Sequence, residues 1–250
     1  MTALAPSQVL VTHEAIAGRG AVGVVTQTGD AASFLAGQRV LVGAIDPCGE
    51  CDVCRRGRVG ACPHQRQGAA REARWLCALA GPLEGAVPGP TAAVLAHEAA
   101  LLYTMFARAG VAPGETTRWF GDPARRELGA RIARAKGAVV VEDGPATHVF
   151  EASGEDSSRA AALDVVAPGG TLVFAAERPA GSLPLGRALA AEATLLGVVA
   201  PHPDLLPELV ALVVRGELAI DDLVTIIPAS DGTRAAELAR AGRFALVVLG

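Results

Sequence analysis

Short apolar runs rich in β-branched residues, bounded by polar and turn-forming residues, mark the first part of the chain and predict β-strands. Runs of this kind lie at 9–11, 23–27 and 39–43. Turn-forming residues around Gly29 and Asp30 separate the second run from the third, and short strands joined by turns predict a small β-barrel. From Thr91 to Ala107 the apolar residues follow helical spacing, which predicts a helix that ends near Gly110.

After Gly114 the pattern changes to β-branched runs that alternate with helical segments. Strands are predicted at 117–120, 138–141, 147–152, 171–175 and 193–199, and helices at 124–136, 157–166 and 205–215. We expect Gly137 to end the first helix and the turn at 168–170 to end the second. Such alternation predicts a parallel sheet covered by helices. The tail from Leu223 predicts strand, helix, strand.

Four cysteines with metal-ligand spacing interrupt the barrel segment. Cys48, Cys51, Cys54 and Cys62 form the pattern C-x2-C-x2-C-x7-C, and only Cys77 lies outside it. Four thiolates at this spacing predict a tetrahedral zinc ion with a closed shell, which makes the metal structural. Two disulfides in a secreted protein are the alternative. The missing leader and the size of the chain disfavour them.

Composition narrows the classes of function. Hydrophobic residues make up 51% of the 250 positions, so a sizeable core can form. The net charge of −4 and an aromatic content of 4% disfavour a nucleic-acid partner bound through charge or stacking. No apolar run is long enough to span a membrane, and no basic-then-apolar leader begins the chain, so we expect a cytoplasmic protein.

Several ordered segments resemble one family. They are 8–11 (QVLV), 18–29 (GRGAVGVVTQTG), 37–40 (GQRV), the four-cysteine segment 48–62 (the cysteine lobe), 109–114, 150–154 (FEASG), 166–172 (VAPGGTL) and the tail from 223. In this order they resemble the zinc-type medium-chain dehydrogenase/reductase superfamily of alcohol dehydrogenases. The resemblance implies a GroES-like β-barrel domain and a Rossmann-like domain in a shortened, degenerate member. We therefore expect residues 1–100 with 223–250 to form the barrel domain, and residues 101–222 the Rossmann-like one.

The resemblance also shows where a catalytic metal would be missing. In the family a Cys, a His and a third acidic or sulfur ligand hold that zinc. The segment for the Cys is absent, Arg19 stands at the His position with Gly20 after it, and the third ligand falls near Tyr103. A guanidinium has no lone pair for a metal. The pair His13-Glu14 offers a rival alignment, but the spacing of the downstream glycines rejects it, and a satisfied barrel histidine is the favoured interpretation of His13 over a proton-transfer role.

The dinucleotide turn departs from the family pattern as well. It reads GDPARR at 121–126, so only Gly121 remains of the three glycines. Pro123 removes an N–H donor, Asp122 adds a negative charge, and Arg126 is too bulky for close helix–strand contact. Glu142 or Asp143 could stand for the ribose-binding acid, but the next strand follows almost at once. These changes predict that NAD(P) does not bind.

Three functions are compatible with these features. We favour an enzyme that has lost hydride transfer and catalyses a cyclisation, isomerisation or elimination on a small carbonyl-bearing metabolite, in secondary metabolism. Arg19, Tyr103 and Glu14 are the candidate catalytic residues, with surface ion pairing and core packing as their structural alternatives. The other functions are an NAD(P)H-dependent oxidoreductase without catalytic zinc and a non-catalytic binding relic. Family resemblance implies a homodimer.

Overall fold

The computed structural model describes residues 9–17, 19–43, 45–48, 50–67, 74–75, 83, 87–175, 183–228, 234, 237–238 and 240–248. The first sheet contains β1 (Val9–Ala17), β2 (Gly20–Thr28), β3 (Arg39–Val42), β6 (Arg74–Trp75), β12 (Val224–Pro228) and β13 (Phe244–Val248). Its order is β12-β13-β1-β2-β3, with β6 also paired to β1. The tail therefore returns to the barrel sheet, as the sequence predicts.

The burial of side chains alternates along β1, which is the middle strand in the order of the first sheet. Val9 and Val11 face inward and pack with Val25 of β2. Farther along the strand, Ala15 joins the larger core that extends into the second sheet. His13 follows the same alternation, and burial lowers its pKa. Its position in the first strand is confirmed, and among the described residues its buried Nε2 has no hydrogen-bond partner, which does not support the expectation of a satisfied histidine.

A continuous helical segment connects the two sheets. It consists of α2 (Gly89–Val94), a π-helical turn (Leu95–Ala99) and α3 (Ala100–Ala109). Nearly every side chain from Thr91 to Phe106 is buried, because the barrel packs on one side and the second sheet on the other. Gly110 ends the helix with φ 68°, a left-handed conformation that favours glycine. The predicted helix and its end are confirmed.

The second sheet is parallel throughout. It contains β7 (Thr116–Phe120), β8 (Val139–Val140), β9 (Ala146–Glu151), β10 (Val166–Ala175) and β11 (Thr194–Val198), in the order β11-β10-β9-β7-β8. A short loop joins β8 directly to β9, as expected from the sequence, and Arg118 holds it by donating to the Gly144 carbonyl. The fold is α/β, with a GroES-like barrel and a Rossmann-like sheet.

Helices cover the parallel sheet. They are α4 (Pro123–Ala135), α5 (Asp156–Asp164), α6 (Leu185–Ala190) and α7 (Leu206–Val214). The sequence predicts that the second of these helices, α5, ends two residues farther along the chain than it does in the structure. In the structure β10 already begins at Val166 and absorbs the Pro-Gly-Gly turn through a register shift before Thr171. Turn residues can be accommodated as an irregularity inside a strand, and the local pattern does not distinguish that case from a helix end.

Close contact between α4 and β7 depends on one glycine. A Cβ added at Gly129 would lie 2.3 Å from the Trp119 ring, and that ring stacks on Phe150 with centroids 4.1 Å apart. Arg126, by contrast, is exposed. The expectation that Arg126 obstructs helix–strand packing is therefore wrong, because its side chain points to solvent and the close approach occurs three residues later.

The cysteine lobe lies between the short strands β4 (Ile45–Asp46) and β5 (Arg66–Gln67), which pair antiparallel. It contains α1 (Asp52–Arg55) and a 3-10 turn (Val59–Ala61). Among the helices of the described ranges, none combines the length and apolar character that crossing a membrane requires.

Candidate functional site

Four sulfurs converge in the cysteine lobe. The Sγ atoms of Cys48, Cys51, Cys54 and Cys62 all lie within 4.8 Å of one another. The Cys48–Cys62, Cys51–Cys62 and Cys48–Cys54 sulfur pairs are 3.6, 3.9 and 4.0 Å apart. Tetrahedral zinc with bonds of about 2.3 Å places its sulfurs about 3.8 Å from each other. The cluster therefore fits such an ion.

Local backbone geometry prepares these sulfurs for a metal. The Cys51 sulfur caps α1 by accepting from the Cys54 N–H at 3.5 Å, and the Cys62 sulfur accepts from the Cys48 N–H at 3.5 Å. Backbone N–H groups of Glu50 and Cys51 lower the pKa of Cys48 to about 6. Thiolates are the metal-binding form of cysteine, so these donors favour the state that zinc requires.

The disulfide alternative is wrong for this cluster. A disulfide joins two sulfurs at about 2.05 Å, whereas the shortest of the sulfur separations measured above is 3.6 Å. None of these four cysteines forms a disulfide in the structure.

A second constellation lies where β7 meets α4. Gly121 turns the chain with φ 148°, close to Ala152 at the end of β9. Asp122 is the N-cap of α4, and its carboxylate accepts from the Arg125 N–H at 3.0 Å. Pro123 follows and has no N–H to offer. Of the amides in the first turn of α4, one is therefore absent and another is already engaged by a carboxylate.

Arg125 folds over this turn onto the connecting helix. Its Nε and terminal nitrogen donate to the two carboxylate oxygens of Glu98 at 2.8 and 3.2 Å. Its other terminal nitrogen donates to the Ala152 carbonyl at 2.9 Å. Asp122 lies 3.6 Å from Nε on the other side. Only 15% of the Arg125 side chain and 11% of the Glu98 side chain are exposed, so this is a largely desolvated ion pair with bidentate geometry.

The turn between β1 and β2 packs closely on the same connecting helix. A Cβ at Gly20 would lie 2.6 Å from the Ala93 carbonyl oxygen and 2.9 Å from the His97 nitrogen. His97 is 2% exposed and Glu98 follows it in the π-helical turn. The residues nearest this turn therefore belong to 93–97, about two to three helical turns before Tyr103. Among the described residues, the four cysteines are the one group suited to hold a metal.

Comparisons with known proteins agree with this architecture. Residues 4–102 match the family described as the alcohol dehydrogenase GroES-like domain. The resemblance to alcohol dehydrogenases is confirmed for this domain, and solved alcohol dehydrogenases share the fold of the whole chain, including the parallel sheet that follows. No curated protein matches the sequence.

Solved structures share the fold of this alcohol dehydrogenase-like chain. Alcohol dehydrogenase TADH from Thermus sp. ATN1 has a TM-score of 0.79 at 19% identity, covering 100% of this chain and 94% of that one. A cobalt- and zinc-bound thermostable alcohol dehydrogenase from Pyrobaculum aerophilum has 0.79 at 18%, covering 98% and 92%. A short chain alcohol dehydrogenase from E. coli CFT073, complexed with NADH, has 0.79 at 13%, covering 97% and 92%.

Two of the three candidate catalytic residues of this alcohol dehydrogenase-like chain lie near the protein surface. Arg19 is exposed in the turn between β1 and β2. Glu14 lies on β1, where its carboxylate accepts from the Arg39 Nε at 2.9 Å. Arg39 in turn donates to the Val87 carbonyl at 2.6 Å. Glu14 thus has a structural partner that links β1 to β3.

Tyr103 lies elsewhere, on the face of α3 that meets α7. It is 2% exposed, and its hydroxyl is hydrogen-bonded to Glu208, which also binds Lys136 of α4. Burial, followed by the bond to Glu208, raises the pKa of Tyr103. A hydroxyl held in this way braces three helices. The structure records no contact that joins Tyr103 to Arg19 or Glu14, and their catalytic roles stay predictions.

We expect Tyr103→Phe to lower the free energy of unfolding by about 1–2 kcal/mol, because it removes a hydrogen bond to a charged group. Lys136 and then Tyr103 lower the pKa of Glu208, so its stabilising contribution is present above the ordinary carboxylate range and disappears as the pH falls. Urea unfolding at pH 7 and pH 4 measures this. The gap between wild type and variant should narrow at pH 4, and an equal gap at both would contradict the assignment.

Sequence reasoning missed Glu98 and its partner. The available signal was a charged residue within the apolar run that forms the connecting helix. A carboxylate at a buried helical position requires a cationic partner, because an unpaired buried charge is costly. That requirement predicts a partner but does not identify it, since Arg125 lies 27 positions farther along the chain.

Proposed function

We propose that this alcohol dehydrogenase-like protein does not transfer hydride and instead catalyses a non-redox step on a small carbonyl-bearing metabolite. Isomerisation, cyclisation and elimination belong to this class, and each passes through developing negative charge on oxygen. The structural role of the metal is part of the same proposal: one zinc held by Cys48, Cys51, Cys54 and Cys62, with no catalytic metal. The homodimer and a place in secondary metabolism stay predictions.

The observation that carries this proposal is the blocked first turn of α4. A dinucleotide of the Rossmann type places its diphosphate on free amides at a helix N-terminus. In this chain Asp122 occupies the Arg125 amide with a carboxylate, and Pro123 contributes none. A diphosphate would meet like charge from Asp122 where it needs donors. The arrangement does not fit the group, and we derive no step that involves it.

Arg125 supplies a chemical alternative at the same place. Glu98 and the Ala152 carbonyl hold its guanidinium in one orientation, and little water reaches it. A fixed cation in a desolvated setting stabilises negative charge that develops on a carbonyl or enolate oxygen. We propose that Arg125 is the catalytic residue that contacts the substrate oxygen. Glu98 is a positioning residue, because it acts by orienting that cation.

An NAD(P)H-dependent oxidoreductase without catalytic zinc is the second candidate. Two observations favour it: Gly121 keeps the positive φ of a tight strand–helix turn, and a protein with the same fold is complexed with NADH. Against it stand the Asp122 cap and the direct connection from β8 to β9. A single binding experiment separates the two candidates.

Titration with NADPH and NADH is expected to produce no saturable change in tryptophan fluorescence up to millimolar concentrations. Trp119 precedes the Gly121 turn on β7 and therefore reports on this site. A double variant, Asp122→Ala with Pro123→Gly, is the matched control, because it restores free amides to the first turn of α4. Saturable micromolar binding by the wild type would contradict the proposal. Binding by the double variant alone would support it.

The catalytic half of the proposal has its own test. The zinc-loaded protein is incubated in D2O with a panel of ketones and enones, and deuterium uptake next to the carbonyl is followed by NMR. We expect Arg125→Met to lower uptake at least 100-fold, as removal of a transition-state donor does. Arg19→Ala is run in parallel to test the sequence-based candidate. If Arg125→Met retained full activity and Arg19→Ala lost it, the assignment of Arg125 would be wrong.

A further inference from the structure

A cavity of about 250 Å³ lies between the cysteine lobe and the parallel-sheet half of the chain, away from the Gly121 turn. One wall comes from the lobe, a second from α3, and the third from the end of β11 and the residues after it. Its lining residues are 53, 57–61, 104, 108, 197, 199, 200 and 202. The volume approaches that of pockets that hold small metabolites.

Close backbone contact holds the lobe against the rest of the fold at this cavity. A Cβ at Gly60 would lie 2.9 Å from the Ala200 nitrogen and 3.1 Å from the Val199 Cβ. A Cβ at Gly57 would lie 3.1 Å from Nε2 of His202. Both glycines allow an approach that a side chain would prevent. The cavity is therefore a defined space between two packed walls.

Two guanidinium groups line this cavity from opposite walls. Arg58 belongs to the lobe, and Arg108 lies at the end of α3, where it donates to the Gly197 carbonyl at 2.7 Å. Both arginines line the same cavity, and burial followed by the positive charge of Arg58 lowers the pKa of Arg108. No lining residue is acidic.

A third donor is fixed beside them. The His202 N–H donates to Thr104 Oγ1 at 2.9 Å, and its Nδ1 accepts from the Asp204 N–H at 3.3 Å. These bonds orient Nε2 toward the lobe at Gly57. The Asp204 carboxylate lies 3.9 Å from Nδ1 of this ring, and 85% of the Asp204 side chain is exposed. It therefore does little to neutralise the two arginines.

We propose that this cavity binds the phosphate group of a small metabolite, with Arg58 and Arg108 as the charge-assisted donors and His202 as the third donor. Two guanidinium groups with no acidic residue beside them in the cavity favour a dianion. A single phosphate group can accept hydrogen bonds from both planar guanidinium groups at once. The bound anion would remove the repulsion between the two cations. The site is separate from the one under Proposed function and does not depend on it.

Because Arg58 belongs to the cysteine lobe, phosphate binding depends on that lobe being folded. The metal-binding cluster and the cavity share the segment from Cys54 to Cys62, so loss of the metal should remove one wall. The lobe thereby gains a role in ligand binding in addition to its contribution to stability.

Isothermal titration of the zinc-loaded full chain with phenyl phosphate and with inorganic phosphate, at constant ionic strength, tests this site. We expect saturable binding with one site per chain. Arg58→Glu should weaken it at least tenfold, because it reverses one of the two charges. Arg56→Glu is the matched control, with the same charge change in the same exposed lobe but outside the cavity, and should change the affinity less than twofold.

Zinc content and thermal unfolding of each variant show whether the lobe stays folded. If Arg58→Glu loses zinc, the neutral Arg58→Gln replaces it and should still weaken binding several-fold. If the wild type bound neither phenyl phosphate nor inorganic phosphate, the proposal would be overturned. Equal weakening by Arg56→Glu would also overturn it, because that result would indicate only a general charge effect. Preference for phenyl phosphate over inorganic phosphate would support a phosphorylated metabolite.

Discussion

Replacing Cys51 with serine is expected to release the bound zinc and to destabilise the whole chain. Cys51 is one of the four proposed zinc ligands and, through the same sulfur, caps α1. Structural zinc contributes about 10–16 kcal/mol of apparent binding free energy in isolated zinc-finger peptides, so the loss of one thiolate should cost several kcal/mol. Because Gly60 packs on Ala200, unfolding of the lobe also uncovers the end of β11.

Elemental analysis and thermal unfolding measure these effects together. The wild type should contain one zinc per chain, and a chelator should lower its melting temperature to that of Cys51→Ser. Cys77→Ser is the control with the same chemical change, since Cys77 lies outside the four-cysteine spacing. Two zinc ions per chain would contradict the proposal of a single structural metal. An unchanged melting temperature in Cys51→Ser would contradict a stabilising role for the lobe.

Much of the fold could be predicted because its signals are local. The pattern of apolar residues predicted most strands of the two sheets and the connecting helix, although not β6, and the cysteine spacing predicted the four-sulfur cluster. The short connection from β8 to β9 followed from the number of residues alone. Each of these features depends on residues a few positions apart, so the local sequence pattern is enough to predict it.

The candidate sites could not be predicted in the same way, because they depend on partners distant in sequence. Tyr103 was a catalytic candidate until the fold placed it beside Glu208, and no local pattern pairs Arg125 with Glu98, 27 positions earlier in the chain. The cavity near Arg58 arises only when the lobe meets the end of β11. Such pairings follow from topology and exact packing, which hydrophobic periodicity does not encode.

Breaking the ion pair between Glu98 and Arg125 is expected to have the second largest effect. Glu98→Gln should lower the free energy of unfolding by about 3 kcal/mol, because Arg125 would remain desolvated with a neutral partner. Asp164→Asn is the matched control. It removes the same charge from an ion pair with Arg187 whose side chains are 50% and 53% exposed, and should cost less than about 1 kcal/mol.

A double-mutant cycle shows whether the pair acts as a unit. Glu98→Leu and Arg125→Met should each be costly, and the double variant should cost less than their sum by about 2 kcal/mol, because it leaves no unpaired charge. Urea unfolding of the four proteins measures this coupling. Additive costs would mean that the contact contributes little. The double variant has a further use, because it should fold while lacking the guanidinium. Loss of catalysis in that folded protein would separate the chemical role of Arg125 from its role in stability.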